Sequence, residues 1–190
     1  MNRKDRRAAQ KQGQGATPIA PMQGLSPKAV SANLFTSAVA HFRAGRLEQA
    51  ERACRDALML DPNHADSLHL IGMIAFRVGR HDAALQLIGK ALALNQSNAD
   101  CHFNMAQVLR ALGRLDEAAA HLTQATVLKR DYIAAHLNLA DVFMQQGKLD
   151  DARAQFERAL LLELIAMIIA LTVATRIFIR TRREWTFPRP

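Results

Sequence analysis

Apolar residues recur every three or four positions along most of this chain. In the stretches 66–78 and 100–112, leucine, isoleucine, methionine, valine and alanine return at this spacing, with polar residues between them. The spacing matches the buried face of an α-helix, which turns once in about 3.6 residues. Aromatic residues make up only 5% of the sequence, and alanine is abundant. The pattern therefore predicts an all-α protein whose helices pack closely.

Glycines punctuate the helical pattern at a fixed interval of 34 residues, at Gly45, Gly79, Gly113 and Gly147. Each glycine is followed by an acid three residues later and by alanines five and twelve residues later. Glycine ends a helix readily because it adopts the left-handed conformation without steric penalty. The acid favours the start of the next helix. Each unit is therefore predicted to be two antiparallel helices. One pair cannot bury both its faces, so neighbouring units are predicted to stack.

The unit is similar to the tetratricopeptide repeat, a helix-turn-helix of the same length. With the glycines as register, the units are 31–64, 65–98, 99–132 and 133–164. The small residue of each first helix then falls at Ala38, Gly72, Ala106 and Ala140. The closing proline is present only at Pro62. The resemblance implies a right-handed α-solenoid that binds a peptide or helix of a partner protein in a concave groove lined by the first helices.

In this family, a first-helix position two residues before the small residue faces the groove. Here it holds Thr36, Leu70, Asn104 and Asn138. The stretches HFNMA (102–106) and HLNLA (136–140) resemble the repeat arm of bacterial O-GlcNAc-transferase-like proteins, in which stacked asparagines hold a peptide backbone. An amide suits this role because it both donates and accepts hydrogen bonds. The resemblance implies partner binding by Asn104 and Asn138. Their alternative role is that of ordinary surface amides.

Four more first-helix residues are candidates for contacts at the rim of the groove: Gln107, Asp141, Arg110 and Arg77. The alternative is that each of them lies on a solvent-exposed helix face and contacts no partner.

The sequence contains no pattern that predicts catalysis. The motifs HExxH, GxGxxG, GxxxxGK[ST] and GxSxG do not occur. His102 and His136 share a repeat position, which places them on successive units, too far apart for one metal ion. Cys54 falls at a core position and is predicted to be a small buried hydrophobe. We therefore expect no enzyme activity, no cofactor and no metal site. The alternative is the non-catalytic arm of a truncated transferase.

The net charge of +8 is concentrated at the two ends of the chain. Residues 1–30 contain six basic residues and one acid, and residues 164–190 contain five arginines and one acid. The repeats between them are close to neutral. Such repeats offer no broad basic face to a phosphate backbone, so a nucleic-acid partner is not expected. Residues 1–30 are predicted to be a disordered basic tail and linker.

Beyond the fourth unit the repeat pattern stops. Residues 164–175 carry no charge, and no glycine or proline occurs between Leu149 and Arg183, which predicts that the last helix continues into an apolar helix and basic tail over 165–190. Three interpretations stay open. Residues 160–179 could span about 30 Å as a membrane anchor of an assembly factor. The helix could pack on the last repeat or on a second copy, or it could be a truncated end. A cytoplasmic location is expected, with inner-membrane association as the alternative.

Overall fold

A computed structural model describes the backbone of residues 26–184 and the side chains of residues 26–176. Within this range the chain forms eight α-helices and no strand. They are α1 (Pro27–Arg43), α2 (Leu47–Leu60), α3 (Ala65–Arg77), α4 (His81–Leu94), α5 (Ala99–Ala111), α6 (Leu115–Leu128), α7 (Ile133–Gln145) and α8 (Leu149–Glu184). The all-α fold is confirmed. Residues 1–25, which contain most of the predicted tail, lie outside the described residues.

The helices pack in the order in which they occur along the chain. Each unit pairs its two helices, α1 with α2, α3 with α4, α5 with α6 and α7 with α8. In the first three units, the second helix also packs on the first helix of the following unit. First helices of successive units meet as well, α1 with α3 and α3 with α5. This nearest-neighbour packing is that of an α-solenoid.

The turn inside each unit is built on the repeated glycine. Gly45, Gly79, Gly113 and Gly147 have φ between 73° and 77°, the left-handed region that favours glycine. In the first unit, the amide of Gly45 donates to the carbonyl of Phe42 at 3.0 Å, and the amide of Arg46 donates to the carbonyl of His41 at 2.9 Å. Bonds of this kind satisfy the free carbonyls at the end of a helix. The predicted role of the glycines is confirmed.

The turn between units does not require proline. In the first unit the backbone amide of Asn63 donates to the Asp61 carboxylate at 3.2 Å, beside Pro62. In the second unit the amide of Ser97 donates to the side-chain oxygen of Asn95, also at 3.2 Å. Aspartate and asparagine both form this turn by bonding the backbone two residues further on. The missing proline therefore leaves the repeat register intact.

Helix α1 begins earlier than the repeat register predicted. It starts at Pro27, whereas the first unit was expected to start at residue 31. Proline suits the first position of a helix, and the Ser26 hydroxyl accepts a hydrogen bond from the amide of Ala29 at 3.3 Å. Residues 27–30, which the sequence assigned to the tail, are therefore helical, because a local capping signal extends the helix.

Alanine permits the close approach of the helices. The alanines five residues after each glycine, Ala50, Ala84, Ala118 and Ala152, are at most 2% exposed. In the second unit, the small residue of the first helix is Gly72, whereas the other units have alanine at that position. A Cβ built on Gly72 would lie 2.6 Å from Cγ1 of Ile88, so the β-branched Ile88 requires glycine opposite it. The third unit pairs Ala106 with the unbranched Leu122 at the same two positions.

Helix α8 is the longest helix and runs for 36 residues. Its first part packs on α7, and among its side chains described up to Arg176 the last buried one is Ala159. From Leu160 to Val173 its large apolar side chains are exposed, except that of Leu162, which is half-buried. The segment Leu149–Arg176 is long and apolar enough to cross a membrane by length and composition. The predicted C-terminal apolar helix is confirmed.

We expect Gly72→Ala to destabilise the protein by about 1 kcal/mol. The overpacking against Ile88, about 1–3 kcal/mol, exceeds the gain in helix propensity of about 0.5–1 kcal/mol. The double variant Gly72→Ala/Ile88→Leu recreates the pair of the third unit and should recover most of the loss. Gly89→Ala is the matched control, because its Cβ would lie 3.7 Å from Met105, an ordinary contact, and it should stabilise. Urea denaturation followed by circular dichroism measures all three.

Candidate functional site

Polar side chains of α3, α5 and α7 form two hydrogen-bonded groups along the first helices of three successive units, and the two groups lie one helical turn apart on α5. We call this set the polar row: His69, Asn104, Gln107, Arg110, Asn138 and Asp141. Its members come from the same helix of each unit, so the stacking of units aligns them. The row contains five of the six residues that the sequence singled out for partner binding.

Asn104 joins the second unit to the third. Its side-chain nitrogen lies 2.8 Å from Nε2 of His69 on α3. Burial lowers the pKa of His69, and the nearby carboxylates of Asp66 and Asp100 oppose that shift only in part. The neutral imidazole therefore prevails at neutral pH, and its Nε2 accepts the hydrogen bond from the amide. One amide hydrogen and the oxygen of Asn104 stay available for a ligand.

Asn138 joins the third unit to the fourth. Its oxygen accepts a hydrogen bond from Nε2 of Gln107 at 2.9 Å, and its nitrogen donates to the carbonyl of Ala134 in its own helix at 2.7 Å. The amide is held at both ends, so its orientation is fixed before any ligand arrives. One hydrogen and one lone pair of Asn138 are left for a partner.

A charged pair closes the row beside these amides. Arg110 donates to the oxygen of Gln107 at 3.1 Å, and its guanidinium lies 3.9 Å from the carboxylate of Asp141 on α7. Asp141 is exposed and Arg110 is half-buried. At that distance and exposure the ion pair adds little stability. Both charged groups are therefore free to exchange this contact for one with a ligand.

The structure does not bring Arg77 into the row. Its guanidinium lies over the ring of Phe42 on α1, 4.9 Å from the ring centre, in a cation–π contact. In the first and second units, the positions equivalent to Asn104 and Asn138 hold Thr36 and Leu70. Thr36 bonds the carbonyl of Ala32 in its own helix, and Leu70 is buried. The pair of asparagines is therefore confined to the third and fourth units.

His69 belongs to the row although the sequence did not single it out for partner binding. It lies one residue before Leu70, which occupies the groove position of the second unit. Its ring reaches Asn104 because α3 and α5 lie against each other. A histidine next to an apolar groove position is the signal that could have found it.

Two further histidines face each other on the other side of α5. Nδ1 of His102 lies 2.9 Å from Nδ1 of His121 on α6, and Nε2 of His102 faces the carbonyl of Gln96 at 3.1 Å. His102 therefore donates to Gln96 and accepts from His121. In the fourth unit His136 occupies the equivalent position, but there its Nδ1 donates to the side-chain oxygen of Gln155 on α8 at 2.8 Å. The arrangement is a hydrogen bond within a helix pair. Among the described residues no group of three or more metal-ligating side chains comes together.

Both cysteines are buried thiols. Burial raises the pKa of Cys54 to about 11 and that of Cys101 to about 12. A thiol with such a pKa forms almost no thiolate at neutral pH and is a poor nucleophile. Cys54 therefore belongs to the core, as its repeat position indicated.

Three family models match the repeat region of the chain. Residues 43–125 match subunit 3 of the anaphase-promoting complex, or cyclosome. Residues 106–147 match a TPR repeat, and residues 133–163 match a tetratricopeptide repeat. No curated protein gives a significant sequence match.

Solved structures of similar fold include three distinct proteins. A structure of MamA has a TM-score of 0.67 and 22% identity, and the match covers 72% of this chain and 80% of that one. PilF of Pseudomonas aeruginosa has a TM-score of 0.68 and 26% identity, with 73% and 63% covered. An O-GlcNAc transferase of Thermobaculum terrenum has a TM-score of 0.60 and 30% identity, with 63% and 23% covered. The chain therefore spans less than a quarter of that transferase.

We expect the free energy of unfolding to fall as the pH drops below about 6.5. Burial lowers the pKa of His69, and burial together with His102 lowers that of His121, so the unfolded chain binds protons more readily than the folded one. The loss of unfolding free energy should be absent above pH 7. Below about pH 6.5, His69 should contribute a loss of up to about 1.4 kcal/mol per pH unit. The double variant His69→Gln/His121→Gln should flatten the dependence. Urea denaturation at pH 5.5, 6.5 and 7.5 measures it.

The same substitution at His41, on α1 and away from both contacts, is the control. An equally steep pH dependence in the double variant would contradict the assignment.

Proposed function

Because this chain is a tetratricopeptide repeat protein, we propose that it is a non-catalytic interaction scaffold that binds an extended segment of a partner protein along its first helices. The observation that carries the proposal is the pair Asn104 and Asn138. These two amides lie on successive units, each is oriented by a neighbouring side chain, and each keeps hydrogen-bonding capacity. Both are half-buried, so a ligand can reach them.

The chemistry of the row suits a peptide main chain. Helices in contact lie about 8–10 Å apart, and an extended chain advances about 3.3 Å per residue. Amides on successive units therefore meet peptide groups roughly three residues apart. A side-chain amide pairs with both the N–H and the C=O of a peptide group. Recognition through Asn104 and Asn138 would thus depend weakly on the partner's sequence, while Gln107, Arg110 and Asp141 would add selectivity at one side.

The transferase-arm alternative rests on one structural similarity. The chain resembles part of an O-GlcNAc transferase, of which it covers 23%. A repeat arm of such an enzyme would use the same surface to present a protein substrate. Sugar transfer by the purified chain, given a sugar nucleotide, would overturn the non-enzymatic proposal.

Membrane anchoring is a second proposed function, and the exposed part of α8 favours it. Between residues 164 and 173, seven large apolar side chains are 44–69% exposed: Leu164, Ile165, Met167, Ile168, Ile169, Leu171 and Val173. Successive residues of a helix turn by about 100°, so these side chains cover most of its circumference. A second protein helix covers only one side, whereas lipid surrounds a helix. We therefore propose that residues 160–179 insert into a membrane as the anchor of an assembly factor.

Two charged residues limit this anchor at its ends. Glu163 lies near one end of the segment and Arg176 near the other, where long side chains can reach the headgroups. The arginines that follow favour a cytoplasmic position for the C-terminal flank. A single crossing then places the repeats on the opposite side. Without insertion, the proposed location of the repeats is cytoplasmic.

We expect Asn104→Ala/Asn138→Ala to weaken peptide binding at least tenfold, because each variant side chain loses its bonds to the peptide backbone. The measurement uses peptides selected from a random display library on the wild-type chain, followed by fluorescence anisotropy. Methylating the backbone nitrogens of a selected peptide should weaken binding to the wild type as strongly.

The matched control is Gln86→Ala/Gln124→Ala, which removes two exposed amides from second helices. It should bind selected peptides as the wild type does. Equal binding by the asparagine variant would remove the proposed role of both amides.

We expect the full chain to resist extraction of membranes with alkaline carbonate and to float with phospholipid vesicles. Ile165→Asp/Ile168→Asp/Leu171→Asp should leave it in the soluble fraction, because each central aspartate costs about 2.5–3.5 kcal/mol in a membrane. Met59→Asp/Val127→Asp changes two exposed apolar residues outside the segment and is the control. Release of the wild-type chain by carbonate would contradict anchoring.

A further inference from the structure

The outer side of α8 in the fourth unit is uncovered, although the same side is buried in each earlier unit. At one core position of the second helix, Cys54 and Ile88 are 0% exposed and Leu122 is 1% exposed. Phe156 occupies this position in the fourth unit and is 37% exposed. We call the surface around it the open face: Met144, Leu149, Phe156 and Leu160, which are 37–68% exposed. They line an open groove of about 340 Å³ with Ala152, Arg153 and Glu157.

The first three units show which element covers the corresponding face of the second helix. In each of them it is the first helix of the next unit, which presents buried side chains at positions i, i+4 and i+7. These residues are Ser67, Ile71 and Ile74 on α3, Cys101, Met105 and Val108 on α5, and Ala135, Leu139 and Val142 on α7. The Sγ of Cys101, for example, lies 3.9 Å from the carbonyl of Ile88 on α4. The covering element is thus a helix with a narrow apolar stripe.

The described chain does not cover the open face itself. Helix α8 continues in a straight course to Glu184 instead of turning back to form another first helix. Stacking another copy head to tail would place α1 on the face. The equivalent positions of α1 hold Asn33, Ser37 and Ala40, which are exposed and mostly polar. Burying Asn33 and Ser37 there without partners would be costly.

We propose that the open face docks one α-helix of a partner protein, which carries apolar side chains at i, i+4 and i+7 and lies where α3, α5 and α7 lie on the inner units. The site continues the interface that already joins the units. It is separate from the polar row, so it does not rest on the peptide-binding proposal. Arg153 and Glu157 flank it as an exposed ion pair at 3.2 Å, so its rim is neutral overall. Binding to the open face therefore depends on the apolar side chains of the partner helix and not on its charge.

The probe is a labelled synthetic peptide of residues 133–145, the segment that forms α7 and covers the corresponding face of α6. We expect it to bind the full chain, purified in a mild non-ionic detergent, by fluorescence anisotropy. The same peptide with Leu139→Asp should bind at least tenfold more weakly. Phe156→Asp in the full chain should weaken binding of the unchanged peptide by a similar factor.

Two further variants separate docking from misfolding. Leu149→Asp changes a 68% exposed side chain of the open face, so the fold should persist while binding falls. Val127→Asp changes a 62% exposed side chain elsewhere and should leave binding unchanged. Absence of peptide binding, or binding that Phe156→Asp and Leu149→Asp do not weaken, overturns the proposal.

Two other occupants would also overturn it. In one, sedimentation shows a dimer that Phe156→Asp dissociates, which assigns the face to a second copy. In the other, a Phe156→Trp/Trp185→Phe variant in vesicles, whose only tryptophan is at position 156, is quenched by brominated lipid, which assigns the face to the membrane. We expect the wild-type chain and Phe156→Asp to have the same mass by sedimentation. We expect no quenching of the tryptophan at position 156.

Discussion

The structure depends on one constraint: a pair of helices cannot bury both of its faces, so each unit needs the next. The second helix of each of the first three units places a large core side chain, Cys54, Ile88 or Leu122, beneath the first helix that follows. This contact sets the spacing of units and therefore the alignment of their first helices. The polar row is a consequence, since side chains on successive first helices meet only when the stacking holds them in register.

Local chemistry explains why the fold could be read from the sequence. The helix ends depend on glycine in a left-handed turn and on an acid at the next helix start, both of which act within a few residues. Where proline is missing, Asn95 forms the same turn through its own side chain. The repeat register does not predict the start of α1 at Pro27, because that start depends on the local cap formed by Ser26 and Pro27, which lies outside the repeated pattern.

The candidate site was harder to predict because its contacts join residues far apart in the sequence. The sequence placed five candidates on first helices: Asn104, Gln107, Arg110, Asn138 and Asp141. The structure joins the last four to one another and joins Asn104 to His69. It could not show which side chain each would meet. Asn104 meets His69, 35 residues earlier, while Arg77 turns to Phe42. Such pairings depend on the angle between units, which repeat spacing alone does not fix.

The same constraint makes the two ends of the solenoid unequal. An end unit lacks a neighbour on one side, so its outer face must be polar or must find another cover. Helix α1 meets the first condition with Asn33 and Ser37, whereas α8 leaves Phe156 and Leu160 uncovered. The straight course of α8 adds an apolar surface that extends away from the repeats. Lipid suits the circumference of the projecting segment, and a helix suits the flat groove beside α7. The two proposals therefore assign different parts of the apolar C-terminal end, the projecting segment to a membrane and the groove beside α7 to a partner helix.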